Sequence, residues 1–324
     1  MKRIVGLGSP IVDEIAFIEE SFLTSISGAK GGMELLPESE LAQLKSTIGS
    51  ALKRIPGGSA GNTIFALARL GIPTGFIGKI GNCASGRYYK EAFAQCGGST
   101  ESFKEGSSQN GNCLSLVTPD GERTMRTALG AATELSGDEL SDADFKDFNH
   151  LHIEGFMIHN PEVLEKSLNL AKSHNCTVSF DLASFEIVNH SRDRLKQLLA
   201  TSVDMVFANG EEAAAFTERP LSESMASAEI LHELCPTAVV KLGAEGCIIA
   251  SGQTLHYSEA IQVETVIDTT GAGDFWAAGF LYGWAHQKSI TESARIGALL
   301  GSSVIQNHGA ILNESQWSHI LEHI

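Results

Sequence analysis

The segment Asp268-Thr269-Thr270-Gly271-Ala272-Gly273-Asp274 is where residue types and spacing in this chain come closest to spelling out a reaction. It runs directly into an apolar, helix-patterned stretch, so two glycines fall where the helix begins and where backbone N–H groups lack partners within the helix. Such a terminus carries the positive end of the helix dipole and binds anions, and glycine lets a phosphate reach the backbone with no Cβ in the way. Gly271, Ala272 and Gly273 therefore read as an anion hole. Asp274, in the first turn beside it, is placed to accept a proton from a hydroxyl attacking phosphorus, a general-base role in phosphoryl transfer. The same dipole should favour its ionised form. A simple helix-capping Asp would fit the same pattern. Two cations, Arg123 and Arg126, stand close together on a strand-like segment of a strongly acidic chain. Either could clamp a transferring phosphoryl group, and an ordinary solvated Arg is the plainer alternative.

The segment 268–274 resembles the C-terminal signature of the PfkB carbohydrate kinases. Gly57-Gly58-Ser59-Ala60-Gly61-Asn62, followed by residues 66–71 and Phe76-Ile77-Gly78-Lys79-Ile80-Gly81, is similar to that family's N-terminal signature. The similarity runs from Gly6-Leu7-Gly8-Ser9-Pro10-Ile11-Val12-Asp13 to Asn307. It implies an ATP-dependent kinase that moves a γ-phosphoryl group onto a hydroxyl of a sugar or nucleoside, with Asp274 as the base. It also implies that Asp13, Gly57, Gly58 and Asn62 hold the substrate. Physically, the glycines permit close backbone approach to a polyol, and Asn62 offers both a donor and an acceptor. Asn209-Gly210-Glu211-Glu212 matches the family's N-x-x-E pattern, which is associated with Mg²⁺ and phosphate, and Glu212 is expected to act through water. Lys241, Gly243 and Gly246 resemble the nucleotide-side loop, and Asn307 lies where the family often meets the adenine. A monovalent cation remains an open implication.

Gly121-Glu122-Arg123-Thr124-Met125-Arg126-Thr127, with Phe207-Ala208-Asn209 and Phe275-Trp276-Ala277-Ala278-Gly279-Phe280, is most similar to the adenosine-kinase-like branch. Adenosine or another ribonucleoside is the first expected substrate, with a ribokinase- or fructokinase-type sugar activity as the alternative. A non-catalytic nucleotide or sugar sensor on the same fold is a third reading. Asn82-Cys83 departs from the family, which commonly has an acidic pair there; this puts in doubt the transfer of specificity from better-matched relatives.

The elements that must carry these residues are legible from periodicity. Residues 151–153, 177–182, 203–208 and 238–242 read as short buried strands, separated by helix-patterned stretches at 161–174, 191–200 and 222–235. Alternation of this kind implies right-handed crossovers and a mostly parallel sheet covered on both faces, a three-layer α/β/α body of the ribokinase-like class. Residues 11–18 and 112–130 look like strands without intervening helices, the latter turning at Asp120-Gly121. They suit a small antiparallel β lid drawn from segments of about 11–50 and 99–130. From Gly271 onward the pattern is helical. The expected organisation is a single domain over residues 1–324.

Composition narrows the partners. The 324-residue chain has 23 Lys and Arg against 39 Asp and Glu, a formal charge of -16, which disfavours nucleic acid and anionic membranes. No apolar leader follows Met1 and no segment approaches membrane-spanning length, so a cytoplasmic location is expected. The six cysteines are scattered without a C-x-x-C pair, so neither a zinc site nor a disulfide framework is expected. Ile11 stands where a G-x-G-x-x-G fingerprint needs glycine, and there is no G-x-x-x-x-G-K-[ST], H-E-x-x-H or G-x-S-x-G. The lone His152 and His159 are expected to be packed or solvated. A monomer or a homodimer is equally compatible with a lid sheet, which can cover its own site or pair with a neighbour's edge.

Overall fold

All four residues of β1 (Ile4–Leu7) are buried, the signature of an interior strand in a sheet covered on both faces. The computed structural model describes residues 2–48 and 52–324. After β1 come β2 (Ile11–Phe17), α1 (Glu20–Leu23), β3 (Met33–Leu35), α2 (Glu38–Ile48), β4 (Lys53–Gly57) and α3 (Ser59–Arg69). They are followed by β5 (Thr74–Gly81), α4 (Ala84–Gln95), β6 (Phe103–Gly106), β7 (Gly111–Val117) and β8 (Arg123–Ala128). The second half holds β9 (His150–Glu154), α5 (Pro161–Ser173), β10 (Thr177–Asp181), α6 (Phe185–Ser202), β11 (Met205–Asn209) and α7 (Gly210–Thr217). Then come α8 (Ser224–Leu234), β12 (Thr237–Lys241), β13 (Cys247–Ser251), β14 (Thr254–Ser258), α9 (Ala272–Ala285), α10 (Ile290–Val304) and α11 (Glu314–Glu322).

Among the described residues the main sheet has nine strands in the order β14-β13-β12-β11-β10-β9-β1-β5-β6, and only β13 runs against the rest, pairing antiparallel with β12 and β14. Alternate residues along each strand feed opposite cores. Leu7, Ile153, Phe180 and Val206 join the core under α5 to α8, while Ile4, Phe76, Phe207 and Val239 join the core under α3, α9 and α10. This is the ribokinase-like three-layer α/β/α arrangement. Strand order reverses at β1, whose neighbours are β5 and β9, and such a switch opens a crevice at the carboxyl ends of the strands. Glu154, Asp181, Asn209 and Lys241 are the last residues of β9, β10, β11 and β12, so four polar side chains reach that one edge. No helix among the described residues is long and apolar enough to cross a membrane.

The smaller sheet, in the order β3-β8-β7-β2-β4, differs from the expected antiparallel lid by being mixed. β2 pairs antiparallel with β4 but parallel with β7, and β3 parallel with β8. The chain returns to this sheet through the main body between β4 and β7, and that crossover makes the parallel pairing possible. Within the second expected lid segment, β6 pairs with β5 of the main sheet instead. Residues 49 and 50 of the first lie outside the described residues. The lid has its own apolar filling, Ala16, Leu23, Leu41, Leu114, Leu116 and Ala128, beneath α2.

Phe207 shows how the body holds α9. Its fully buried ring lies 6.4 Å from Trp276 and 5.8 Å from Phe280, both on that helix. Phe207→Ala is expected to cost about 3–5 kcal/mol in chemical denaturation, the usual range for deleting a core aromatic. A loss below about 1 kcal/mol would show that this contact does not hold the helix.

Candidate active site

The start of α9 is shaped by its own loop. Gly271 is the N-cap with φ +73°, and a Cβ there would stand 2.6 Å from the Ala310 methyl carbon, so glycine is required twice over. Asp268 fastens the loop: one carboxylate oxygen accepts from the Thr270 N–H at 2.8 Å, the other from the Gly309 N–H at 2.8 Å. The amide of Ala272 donates to the Thr269 carbonyl at 3.1 Å, so it is spent within the turn and not offered to a ligand as expected. Among the described residues no acceptor meets the N–H groups of Gly271, Gly273 and Asp274.

Asp274 lines a cavity of about 680 Å³ that opens over this terminus. One of its oxygens accepts from Ser59 Oγ at 2.9 Å and the other from Asn62 Nδ2 at 2.8 Å, while Thr63 Oγ1 donates to its carbonyl at 3.1 Å. All three partners sit in the first turns of α3. Asn62 thus directs one of its two amide N–H groups at Asp274. Burial, reinforced by the Asp181 charge, pushes the Asp274 carboxyl up to about 6, with Asn62, Lys241 and Ser59 limiting the rise. Desolvation thus outweighs the groups that favour the ionised form, and the carboxylate is a stronger base for it.

Asp13 stands on β2 close against Gly57, where a Cβ would sit 2.6 Å from its carboxyl carbon. Gly58 has φ +85°, and a side chain there would overlap the Ser9 carbonyl oxygen. Burial raises the Asp13 carboxyl to about 7; Arg123 opposes the shift and the Asp274 and Asp268 charges add to it, so these four residues share one electrostatic environment.

On the other side of Asp274 the cavity is bounded by strand ends. Lys241 Nζ pairs with Asp181 at 2.9 Å and would lie 3.0 Å from a Cβ on Gly273, so the ammonium stands close beside the start of α9. Burial alone would lower its pKa, but Asp181 and Glu212 outweigh it and the net shift is upward. Glu212 is 3% exposed, accepts from Asn209 N at 2.8 Å and Nδ2 at 2.7 Å, and is raised to about 7 by burial and by Asp181. Gly243 and Gly246 line the same cavity, both at positive φ. Asn307 is not brought in: its amide donates to the Ser303 and Val304 carbonyls. Among the described residues no three His, Cys, Asp or Glu side chains converge to hold a metal alone. The donors present, Asp181 and Glu212 beside free amides, fit a hydrated Mg²⁺ that is carried in mainly by phosphate oxygens.

The two lid arginines part company. Arg123 lies 3.7 Å from Asp268 and lines a second cavity of about 430 Å³ with Gly31, Glu122, Thr269 and Thr270. Arg126 is 1% exposed and lines neither cavity, because strand alternation turns it to the far face of the sheet. Cys83 Sγ accepts the Asn110 N–H at 3.3 Å, so the position that departs from the family pattern steadies the approach to β7. Ser59, Glu154 and Asp181 were not foreseen. Glu154 is 1% exposed and accepts from Ser9 N at 2.9 Å and Ala60 N at 3.1 Å, tying the β1 exit to the start of α3. A charged residue closing an apolar strand was the available signal for Glu154 and Asp181; Ser59 carried none of its own.

With this geometry in hand, comparison with known proteins is consistent throughout. The family model described as pfkB family carbohydrate kinase matches residues 34–317. The crystal structure of adenosine kinase from Sinorhizobium meliloti superposes with a TM-score of 0.89 at 30% identity, covering 100% of this chain and 99% of that one. That of a probable sugar kinase from Rhizobium etli gives 0.89 at 28% identity, covering 99% and 98%. Adenosine kinase 2 of Arabidopsis thaliana is 26% identical over 333 aligned residues, 96% of each chain. The family model and the whole-chain superpositions agree, and the chain belongs to the pfkB family of carbohydrate kinases, enzymes that transfer phosphoryl groups to sugars and nucleosides.

Proposed function

We propose that this protein, acting as one catalytic unit over residues 1–324, transfers the γ-phosphoryl group of ATP to a hydroxyl of adenosine or a similar ribonucleoside. The observation that carries the reading is the carboxylate of Asp274, held by Ser59 and Asn62 in one cavity with the free amides of Gly271 and Gly273. The acceptor enters on the lid side, between Asp13, the Gly57-Gly58 backbone and Arg123. Its hydroxyl donates to Asp274, which takes the proton as the new O–P bond forms and the bond to the leaving ADP oxygen breaks. The three peripheral phosphate oxygens meet the N–H groups of Gly271, Gly273 and Asp274 together with the Lys241 ammonium, so developing charge is met by donors already in place. Arg123 adds a cation from the lid. Asp181 and Glu212 would hold a hydrated Mg²⁺ brought in with the triphosphate, and the ion would offset phosphate charge. The nucleotide occupies the cavity beside Gly243 and Gly246.

Adenosine is preferred over a sugar because the adenosine kinase of Sinorhizobium meliloti is the more identical of the two structures superposed above. A sugar acceptor is the second reading, favoured by the equal superposition of the Rhizobium etli protein. An ADP-release assay with adenosine, ribose and fructose separates them. Turnover is expected with adenosine foremost, and Asp274→Asn is expected to lower it by about 10²- to 10⁴-fold with nucleotide binding kept. Turnover within about threefold of wild type in that variant would remove Asp274 from the mechanism. The acidity of Asp274 gives a second check. Protonation removes the base, so kcat/KM for the acceptor at saturating nucleotide should fall as pH drops through about 6, approaching tenfold per unit. A profile flat from about pH 8 to 5 would contradict the assignment.

A further inference from the structure

Arg126 is the largest fully buried side chain among the described residues, yet it carries a permanent charge. Taking a guanidinium out of water costs several kcal/mol unless its donors are met. They are met by the Met125 carbonyl at 2.9 Å, the Ser27 carbonyl, and the Glu34 carboxylate at 3.5 Å. Two of these three partners belong to the stretch that runs from the end of α1 into β3. That stretch is wrapped onto the guanidinium: Gly28 has φ +97°, and a Cβ there would overlap both Arg126 and the Glu34 carboxyl. Further bonds lay the same stretch along β8. Gly31 N–H donates to Thr124 Oγ1 at 3.0 Å, and Met125 N–H to the Gly32 carbonyl at 2.9 Å.

What this anchored stretch presents lies on the other face of the sheet. Gly31 lines the second cavity opposite Asp268, Thr269 and Thr270, the loop leading to the free amides. Beyond it, Leu35 pairs with Thr127, Thr127 with Cys113, and Cys113 with Asp13, so Leu35 and Asp13 share one row and one face of the lid. Met33 is next on that face, and Met33 and Leu35 are 49% and 59% exposed. They are exposed apolar side chains on the side from which the acceptor enters.

We infer that Arg126 is a positioning residue for the acceptor: from the far face of the lid it anchors residues 24–35 as a flap that holds Met33 and Leu35 over the bound acceptor. The inference rests on the reading above that the Asp13 face is the acceptor side. Arg126 touches no reacting atom; its effect passes through the flap.

Arg126→Met keeps the bulk and removes the donors. It should raise KM for the acceptor by about tenfold or more while kcat stays within about threefold and the Kd for ADP is unchanged, the pattern of lost ground-state binding. Limited trypsin digestion gives a readout that needs no acceptor. Lys30, on the flap and paired with Glu20 at 2.8 Å and Asp120 at 2.6 Å, should be cut about tenfold faster in the variant. Faster cleavage in a protein inactive on adenosine, ribose and fructose alike would keep the anchor and sink the acceptor reading. Unchanged cleavage at Lys30, an unchanged acceptor KM, or a KM that rises only in step with the Kd for ADP would overturn the inference. If Arg126→Met does not yield folded protein, Gly28→Ala disturbs the same contact from the flap side and is judged by the same outcomes.

Discussion

A carboxylate buried at a helix start is the constraint around which this molecule is arranged. Removing an ionised carboxyl from water is costly, and only hydrogen bonds and nearby positive charge keep it from neutralising altogether. Asp274 has both, in Ser59, Asn62 and Lys241, and the balance leaves it at about 6. The bonds from Ser59 and Asn62 require α3 and α9 to start side by side, which in turn requires the sharp backbone at Gly58 and the clamp of Glu154 on Ser9 and Ala60. The packing of Phe207 beneath α9 holds the second helix at the same level.

The reversal of strand order at β1 explains why so many charges meet there. Parallel strands end together at one edge, and in this chain four of them end in Glu154, Asp181, Asn209 and Lys241. Two of these groups are acidic, and burial, with repulsion among the carboxylates of the crevice, raises Asp13, Glu154, Glu212 and Asp274 together. A site of this sign repels a bare triphosphate. The Lys241 ammonium, the free amides of α9 and a cation travelling with the nucleotide supply the opposing charge.

The three-layer fold was legible because apolar runs and helical periods alternate cleanly through the second half of the chain. The mixed lid was not, since pairing direction depends on the route the chain takes between strands and leaves no mark on a strand's own pattern. Asp274 and the glycines around it were legible from type and spacing. Their partners were less so: Asn62 stands out by type and spacing but its bond to Asp274 does not, and Ser59 is an ordinary serine until α9 arrives opposite it. The spacing of Arg123 and Arg126 is itself informative. Residues three apart on a strand face opposite sides, so the two cannot both reach one site. Deciding which does so needed the register against β7. Asn307 lies near the cavity in sequence terms, but its amide closes the last turn of α10.

A crystal structure with adenosine and a non-hydrolysable ATP analogue bound together would bear most directly on the proposed chemistry. The expected result is an acceptor hydroxyl within hydrogen-bonding distance of Asp274, with the terminal phosphate against the amides of Gly271 and Gly273. An acceptor hydroxyl bound away from Asp274, or a terminal phosphate that leaves those amides empty, would contradict it.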